Sequence, residues 1–383
     1  MTTVNRAEAL IDLGAIESNV QTLMGKAGKP ALAVVKADAY GHGLVPVAKS
    51  AVKAGATWLG TALLEEAIAL RDAGINAPII AWLTPIHEDF QSALEEQIDI
   101  AIPSIDHLSA LMKAAGKKGI KPRIHLEVDT GMSRGGALGE WPALLHAVSD
   151  LVKVKKIQVI GIWSHFARAD EPGHAFNDQQ LSEFENRVAE AKSFGIEPEL
   201  LHLSNSAATI NNKKAHFDLI RMGIAMYGLS PDVSQMGSSR ELDLIPAMRL
   251  RAQLHLVKDV PADSPVGYGG TARTSTDTKL GVIAMGYADG IPRNANSHAG
   301  VLVSNKVAPI IGRVSMDQFV VDLGKDSSAR SGDWAYLIGN ETVTSMGNEN
   351  SVGYTADSWA DASGTINYEI VTRIGPRVPR IYN

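Results

Sequence analysis

Short apolar runs alternate with longer stretches of helical periodicity from residue 30 to about residue 228. This alternation is typical of parallel βα units, in which each buried strand is followed by a helix. Eight runs have the length of a strand, and they span residues 31–36, 57–62, 78–83, 98–103, 123–129, 159–165, 200–205 and 219–227. Because eight parallel strands close a barrel, the pattern predicts an α/β fold with an N-terminal eight-stranded (β/α)8 barrel of the TIM type.

Three of the intervening stretches have the periodicity of amphipathic helices, namely residues 63–73, 105–116 and 176–194. Gly74 and Gly195 follow two of them, in the position where a glycine commonly ends a helix. The sequence therefore predicts helices that end at these two glycines.

The pattern changes at about residue 240 to β-rich alternation with frequent glycine, proline and aspartate. Residues 248–257, 279–285 and 307–323 are typical of strands, and one helical insert is expected at residues 356–362. We therefore predict two domains, an α/β barrel at residues 1–240 and a mostly β domain at residues 241–383, with a linker at about residues 231–246.

Composition agrees with a globular protein of this size, since 383 residues suit two domains and 45% of them are hydrophobic. The net charge of -6 lacks the basic stripe that nucleic acid or an anionic membrane surface requires, which argues against both partners. No cysteine is present, so disulfides and thiol nucleophiles are excluded. The sequence also has no signal-peptide pattern and no run of membrane-spanning length, and we expect a cytoplasmic protein.

Polar residues cluster at the carboxyl ends of the apolar runs, and this end of a barrel carries the active site in enzymes of the fold. They are Lys36, Arg134 just beyond the fifth run, His165, Asn205 with Ser206, and Arg221 with Gly223.

Lys36 is the most informative of these residues because it ends a buried apolar run. An ammonium group at such a position is costly to desolvate, so its pKa can fall and its amine can attack an aldehyde. The alternative is a lysine whose aliphatic stem is buried and whose ammonium group reaches solvent.

Nine segments, taken in order, resemble the alanine racemase family. They are A-V-V-K-A-D-A-Y-G-H-G, L-E-V-D-T-G-M-S-R, S-H-F-A-R-A-D, H-L-S-N-S-A, R-M-G-I-A-M-Y-G, V-G-Y-G-G-T, M-G-Y-A-D-G, G-R-V-S-M-D-Q and R-V-P-R. The resemblance spans nearly the whole chain and implies a homodimeric enzyme that uses pyridoxal 5'-phosphate to interconvert L-alanine and D-alanine. It also implies an N-terminal barrel and a C-terminal β domain, in agreement with the apolar pattern.

Racemisation needs a proton taken from one face of Cα and another delivered to the opposite face, and one base cannot reach both faces. The resemblance assigns the D-alanine face to Lys36, which also carries the cofactor, and the L-alanine face to Tyr268 of the partner subunit. Each active site would then be built from two chains. From its sequence context alone, the favoured interpretation of Tyr268 is a turn tyrosine among glycines.

Cofactor binding is expected at the ends of the seventh and eighth runs, where barrels offer backbone N–H groups to a phosphate. Ser206, Gly223 and Ile224 lie there. The resemblance adds the hydroxyls of Tyr40 and Tyr368, and Asn205 is also expected among the residues that bind the cofactor. It also implies that Arg221 faces the pyridine nitrogen and that His202 orients Arg221. A hydrogen-bonded core histidine is the alternative for His202.

The resemblance also implies the substrate contacts. Arg134 would stabilise the carboxylate of alanine and the phenolic oxygen of the cofactor, and Met316 of the partner subunit would supply a backbone N–H. His165 and Arg221 assist the phenol of Tyr268. The access corridor is lined by Tyr287, Asp170, Arg313 and Asp317. No metal site is expected.

One position departs from a pattern common in the family. Many members carry a lysine seven residues before the arginine that corresponds to Arg134, and this lysine becomes a carbamate that holds the arginine. Glu127 occupies the position here. Since glutamate already has a carboxylate, we expect Glu127 to pair with Arg134 and to orient it without modification. The alternative is an inward-facing barrel residue whose carboxylate is satisfied elsewhere.

Three alternatives compete with an alanine racemase that supplies D-alanine for peptidoglycan. A broad-specificity racemase usually carries an export signal and cysteines. A barrel protein of cofactor homeostasis that binds pyridoxal phosphate without catalysis would lack residues 240–383. A decarboxylase of related architecture has an acidic residue at the pyridine nitrogen, where this chain has Arg221. A catabolic role, in which D-alanine is consumed, stays open.

Overall fold

The computed structural model describes residues 5–340 and 353–383. The chain divides into two compact units. One consists of Ile16–Ala39 and Leu44–Leu244, and the other combines the chain up to Ala15 with Tyr40–Gly43 and with the chain from Ile245 onward.

The first unit is built on a parallel sheet of eight strands. The strands are Ala31–Val34, Trp58–Thr61, Ile79–Ala81, Asp99–Ile102, Arg123–Glu127, Gln158–Trp163, Leu200–His202 and Ile220–Met222. Each strand pairs with the next along the chain up to the seventh, and the first also pairs with the eighth.

Two backbone hydrogen bonds link the segments that contain the seventh and eighth strands. Asp218 N–H donates to Leu201 O at 3.0 Å, and Arg221 N–H donates to Ser204 O at 3.2 Å. The sheet is therefore a nearly closed barrel, and the predicted N-terminal barrel is confirmed. Its strands are almost continuously apolar because both faces of a parallel sheet are covered.

Helices alternate with the barrel strands, as the periodicity predicted. They are Leu13–Ala27, Lys36–Gly41, Leu44–Lys53, Leu64–Asp72, Phe90–Glu95, Ile105–Lys118, Trp141–Lys153, Ala175–Ser193, Ser206–Asn211 and Val233–Met236, with short 3-10 helices at Lys213–Ala215 and Ile224–Tyr227. Gly74 and Gly195 have φ angles of 78° and 73°. This left-handed conformation favours glycine, which explains why glycine follows each helix at these positions.

The second unit is mostly β, as predicted. Its strands are Ala7–Ile11, Met248–Val260, Pro265–Val266, Ala272–Arg273, Thr278–Ile283, Gly300–Val303, Lys306–Pro309, Phe319–Asp322, Trp334–Ile338 and Arg380–Tyr382. The long strand Met248–Val260 pairs with Ala7–Ile11, Thr278–Ile283 and Trp334–Ile338.

The helical insert expected at residues 356–362 is present as Ala356–Ser363. A second helix, Asn367–Thr372, was not predicted, and 3-10 helices lie at Tyr268–Gly270 and Tyr287–Asp289. Trp359 anchors the insert in the core, where its indole N–H donates to Leu337 O at 2.7 Å and its ring meets Phe319 edge-on. In the described part of the chain, none of the helices is long and apolar enough to cross a membrane.

Candidate active site

Lys36 opens a turn with unusual backbone geometry. The four residues that follow it, Ala37–Tyr40, have φ angles of 52–54° although none of them is glycine. A left-handed conformation costs about 1–2 kcal/mol for each such residue. The turn is held in part by Leu44 N–H, which donates to Asp38 Oδ1 at 2.8 Å. Strain of this kind persists only where the surroundings hold it, and it is common at functional sites.

The environment of Lys36 favours its neutral amine. Burial lowers the pKa of Lys36, the charge of Arg134 lowers it further, and the carboxylate of Glu66 opposes both effects. The prediction from the sequence therefore has a physical basis, because the neutral amine is the form that reacts with an aldehyde and accepts a proton.

Glu66 was not anticipated from the sequence. Its Oε1 accepts a hydrogen bond from Ala37 N–H at 2.6 Å, directly after Lys36. Its Oε2 accepts from the N–H groups of Ala62 and Leu63 at 3.0 and 3.1 Å. One carboxylate thus joins the ends of the first two barrel strands.

Arg221 is buried on the eighth strand, and this burial lowers its pKa to about 10, so it stays charged at neutral pH. Its Nη1 donates to His202 O and its Nη2 to Ser164 O, both at 2.8 Å. Its Nη2 also lies 3.1 Å from His165 Nδ1. Within residues 5–340 and 353–383, no protein atom accepts a hydrogen bond from its Nε–H. The Nε–H is therefore a donor available to a ligand.

The contact with Arg221 fixes the state of His165. A guanidinium can only donate, so His165 Nδ1 must be the acceptor and its proton lies on Nε2. Burial lowers the pKa of His165 well below its ordinary value, and the charges of Arg221, Arg134 and Lys36 act in the same direction. The ring is neutral and presents an N–H donor.

A chain of hydrogen bonds continues from Arg221 into the barrel. Arg221 Nη1 lies 3.4 Å from His202 Nδ1, His202 Nε2 lies 2.9 Å from His125 Nδ1, and His125 Nε2 lies 3.3 Å from Asp99 Oδ2. Asp99 is also paired with Arg123, through Nε at 2.7 Å and Nη2 at 3.1 Å. At one end of this series Arg221 can only donate, and at the other end Asp99 accepts. The ring proton of each histidine must therefore lie on Nε2, the nitrogen that faces Asp99.

Trp163 packs against two members of this series of hydrogen bonds, His202 and Arg221. Trp163 stacks on His202 with ring centroids 5.8 Å apart, and the guanidinium of Arg221 lies 5.1 Å from the centroid of Trp163. Burial lowers the pKa of His202 well below its ordinary value, and His125 and Arg221 lower it further. His202 is thus neutral and lies beside Arg221.

Glu127 does not form the direct pair with Arg134 that we expected. In the described part of the chain, its carboxylate makes no hydrogen bond and no ion pair within 4.0 Å. Burial raises the pKa of Glu127 to about 7, and the charge of Arg221 opposes this effect more strongly than that of Arg134. A Cβ on Gly135 would lie 2.8 Å from Glu127 Oε1, so the carboxylate lies close to this glycine.

Donors gather at the ends of the seventh and eighth strands. The hydroxyl of Ser206 accepts from the N–H groups of Gly223 and Ala225 at 2.8 and 3.2 Å, which brings it beside the short helix that begins at Ile224. Asn205 Oδ1 accepts from Ala208 N–H at 3.0 Å and caps the helix Ser206–Asn211. The expected phosphate residues are thus adjacent, while the side chain of Asn205 serves the helix.

Tyr40 and Tyr368 lie together in the second unit, with ring centroids 6.3 Å apart. Burial raises the pKa of Tyr40 above its ordinary value, so its hydroxyl remains protonated and is a hydrogen-bond donor.

The remaining predicted residues of the second unit are largely exposed. Tyr268 is 70% exposed and Met316 is 54% exposed. Tyr268 and Arg313 line a cleft of about 470 Å³ in this unit. Tyr287 N–H donates to Ser315 O at 3.0 Å, so Tyr287 and Met316 lie on neighbouring turns.

Two corridor residues have different surroundings. Asp317 Oδ1 pairs with Arg377 Nη2 at 2.6 Å, and Arg377 Nε also lies 3.1 Å from the buried Asp289. Asp170 lies in the first unit, on the loop that follows the sixth barrel strand and also carries His165.

Sequence reasoning missed Asp99 and His125, although a signal was present. Both are polar residues inside apolar barrel strands, and both are buried. A buried charge needs a partner, so these positions could have been recognised as one half of a polar network. In the described residues, no group of three or more candidate ligands could hold a metal ion.

Comparison with known proteins covers the whole chain. Residues 11–231 match the family profile described as alanine racemase, N-terminal domain, and residues 247–382 match alanine racemase, C-terminal domain. An alanine racemase of Frankia casuarinae is 45% identical over 98% of this chain and 96% of its own length. An alanine racemase of Streptomyces coelicolor is also 45% identical, over 99% of this chain and 96% of its own length.

Solved structures agree with these matches. Alanine racemase from D-cycloserine-producing Streptomyces lavendulae superposes with a TM-score of 0.94 at 46% identity, covering 100% of this chain and 98% of that one. The enzyme from Streptomyces coelicolor gives a TM-score of 0.93 at 45% identity, covering 98% of both chains. Because sequence and structure match over both domains, the chain belongs to the alanine racemase family.

Proposed function

We propose that this chain interconverts L-alanine and D-alanine with pyridoxal 5'-phosphate, using Lys36 and Tyr268 as the two bases. The observation that carries the proposal is the pair of Lys36 and Arg221 at neighbouring barrel strands, where the first strand pairs with the eighth. Lys36 offers an amine with a lowered pKa, and Arg221 offers a buried, unused Nε–H.

The chemistry of these donors fits the cofactor. Its pyridine nitrogen is an acceptor that suits the Nε–H of Arg221, and its aldehyde suits the amine of Lys36. We assign its phosphate to the hydroxyl proton of Ser206 and the N–H group of Ile224, with further hydroxyls from Tyr40 and Tyr368. Gly223 N–H donates to Ser206 Oγ at 2.8 Å, so Gly223 would serve the phosphate by orienting that hydroxyl. When bound, the cofactor withdraws electrons from Cα of alanine and so acidifies the α-proton.

Arg221 sets the strength of that electron withdrawal. A guanidinium donates a hydrogen bond without giving up its proton, so a ring nitrogen held by Arg221 would stay unprotonated. His202 supports Arg221 through its carbonyl oxygen at 2.8 Å. We infer that Arg221, supported by His202, favours proton transfer over side reactions that require a strongly electron-withdrawing ring.

The two bases act on opposite faces of alanine. Lys36 exchanges the proton on the D-alanine face, which its lowered pKa favours at neutral pH. Tyr268 of the partner subunit exchanges the proton on the L-alanine face. The Nε2–H of His165 is a donor that can stabilise the phenolate of that tyrosine.

A homodimer is supported by the exposure, in the isolated chain, of residues that the resemblance assigns to a shared active site. Tyr268 and Met316 are exposed at 70% and 54% in the isolated chain. We assign the carboxylate of alanine to Arg134 and to the backbone N–H of the partner subunit's Met316. Tyr287, Arg313, Asp317 and Asp170 are proposed for the access corridor.

The proposed functional division follows the predicted domains. Residues 1–240 carry the cofactor lysine and the phosphate site, and residues 241–383 carry the second base. The D-alanine formed would be used in peptidoglycan synthesis.

The test is formation of D-alanine from L-alanine by the purified protein, with and without added pyridoxal phosphate. We expect D-alanine in the presence of the cofactor, and none from the Lys36→Ala variant. Borohydride reduction followed by peptide mapping should place a pyridoxyl group on Lys36. A protein that binds the cofactor without forming D-alanine, or that carries the label on another lysine, would refute the proposal. Equal rates with lysine and arginine would favour a broad-specificity racemase.

A further inference from the structure

Glu66 uses its two carboxylate oxygens for different purposes. Oε2 accepts from Ala62 and Leu63 N–H at 3.0 and 3.1 Å. Because Glu66 is the third residue of the helix Leu64–Asp72, these contacts cap the start of its own helix. Capping therefore accounts for Oε2 alone.

Oε1 points to a different part of the barrel. It accepts from Ala37 N–H at 2.6 Å, 29 residues away in sequence. Ala37 is the first of the four residues with φ angles of 52–54°, and it directly follows Lys36. A hydrogen bond to an ionised group is about twice as strong as one between neutral groups. Glu66 is thus placed to hold the strained turn at its first N–H.

The same carboxylate acts on Lys36 through its charge. It raises the pKa of Lys36, against the lowering by burial and by Arg134. Glu66 therefore influences both the backbone that carries Lys36 and the charge state of its amine.

We propose that Glu66 is a positioning residue for Lys36, which it holds by bracing the left-handed turn at Ala37. The catalytic half of this inference rests on the proposed function, in which Lys36 serves the D-alanine face. Tyr268 is carried by a separate unit of the fold, so the brace supports only one of the two proton transfers. Loss of Glu66 should then affect the two faces of alanine unequally.

Glu66→Gln tests the brace with little change in side-chain volume. A glutamine has a single oxygen acceptor, so it can serve either Ala37 N–H or the helix cap, but its NH₂ group cannot accept the other bond. Glu65→Gln is the matched control, because Glu65 precedes it in the same helix and is exposed.

The first measurement is amide hydrogen exchange of the apoenzyme, which requires no bound cofactor. Loss of one such hydrogen bond should speed exchange in the segment Lys36–Gly41 by about tenfold in Glu66→Gln. The fifth barrel strand should be unchanged, and Glu65→Gln should behave like the parent. Glu66→Ala removes both acceptors, so it should show the same acceleration whichever bond the glutamine keeps. Unchanged exchange in Lys36–Gly41 in Glu66→Ala, or equal acceleration throughout the barrel, would overturn the brace.

The second measurement is the initial rate of α-proton exchange with deuterated solvent from each enantiomer in the holoenzyme. Glu66→Gln should slow exchange from D-alanine by about tenfold and change exchange from L-alanine much less. An equal loss from both enantiomers would indicate a merely structural role and overturn the inference. If Lys36→Ala does not abolish exchange from D-alanine, the proposed function fails, and the hydrogen-exchange result still decides whether Glu66 braces the turn.

Discussion

His202 Nε2 lies 2.9 Å from His125 Nδ1 in the interior of the barrel. Neither ring reaches solvent, so the single proton between them can only be shared along this hydrogen bond. Asp99 fixes the proton of His125 at one end, and Arg221 leaves His202 only the role of acceptor at the other. The state of Arg221 is therefore coupled to a carboxylate on the fourth barrel strand.

Gly161 permits this pair of histidines. A Cβ on Gly161 would lie 2.3 Å from His125 Nδ1 and 3.1 Å from His202 Nε2. We expect Gly161→Ala to separate the rings and to leave a buried donor unpaired, at a cost of about 1–3 kcal/mol in the free energy of unfolding. Nitrogen NMR of the ring atoms should then show His202 in mixed tautomers.

The matched control is His216→Phe. His216 is also buried, but its Nε2 contacts Thr209 O outside this chain of hydrogen bonds. The His216→Phe variant should be less stable than the parent, but the tautomer of His202 should not change. A single, unchanged His202 tautomer in Gly161→Ala would contradict the coupling.

Glu127 should make stability depend on pH. Burial raises its pKa from 4.5 to about 7, so between these values the folded state holds a proton that the unfolded state releases. The contribution of Glu127 to stability is therefore present below pH 4.5 and is lost as the pH rises through about 7. Glu127→Gln removes this titration.

Thermal unfolding of the apoenzyme at about pH 5 and about pH 8 measures the effect. The Tm of the parent should fall more between these values than that of Glu127→Gln. The exposed Glu140 offers a control, and Glu140→Gln should follow the parent. Parallel pH profiles for the parent and Glu127→Gln would show that Glu127 keeps an ordinary pKa.

The barrel could be predicted from the sequence because burial on both faces makes each strand an apolar run, as at residues 31–36 and 123–129. The strand Ala7–Ile11 was missed because its partner Met248–Val260 is distant in sequence, and no local pattern records such a pairing.

The site was less accessible to sequence reasoning. The left-handed turn after Lys36 contains no glycine, so its residue types give no sign of positive φ angles. The pair of Glu127 and Arg134 was expected from the resemblance, in which many members have a carbamylated lysine at the position of Glu127, and a position in the sequence does not specify which way a side chain points. Residues on the ends of barrel strands were found because the fold itself brings those ends together.

Shared active sites predict that two inactive variants complement each other. In a hybrid dimer, the Tyr268→Phe chain still has Lys36 and the Lys36→Ala chain still has Tyr268. These two residues together form one intact site, and the other site lacks both. Random exchange of subunits should restore about a quarter of the parental activity, because half of the dimers are hybrids with one intact site of two. No recovery after demonstrated subunit exchange would place both bases within one chain.

The division of labour between Lys36 and Tyr268 is tested most directly by the α-proton exchange of Tyr268→Phe. With the phenol removed, the protein should form no D-alanine from L-alanine, because the L-alanine face has no base. Lys36 remains, so exchange of the α-proton of D-alanine with deuterated solvent should continue. Exchange from L-alanine that persists while exchange from D-alanine is lost would contradict the assignment of the two faces.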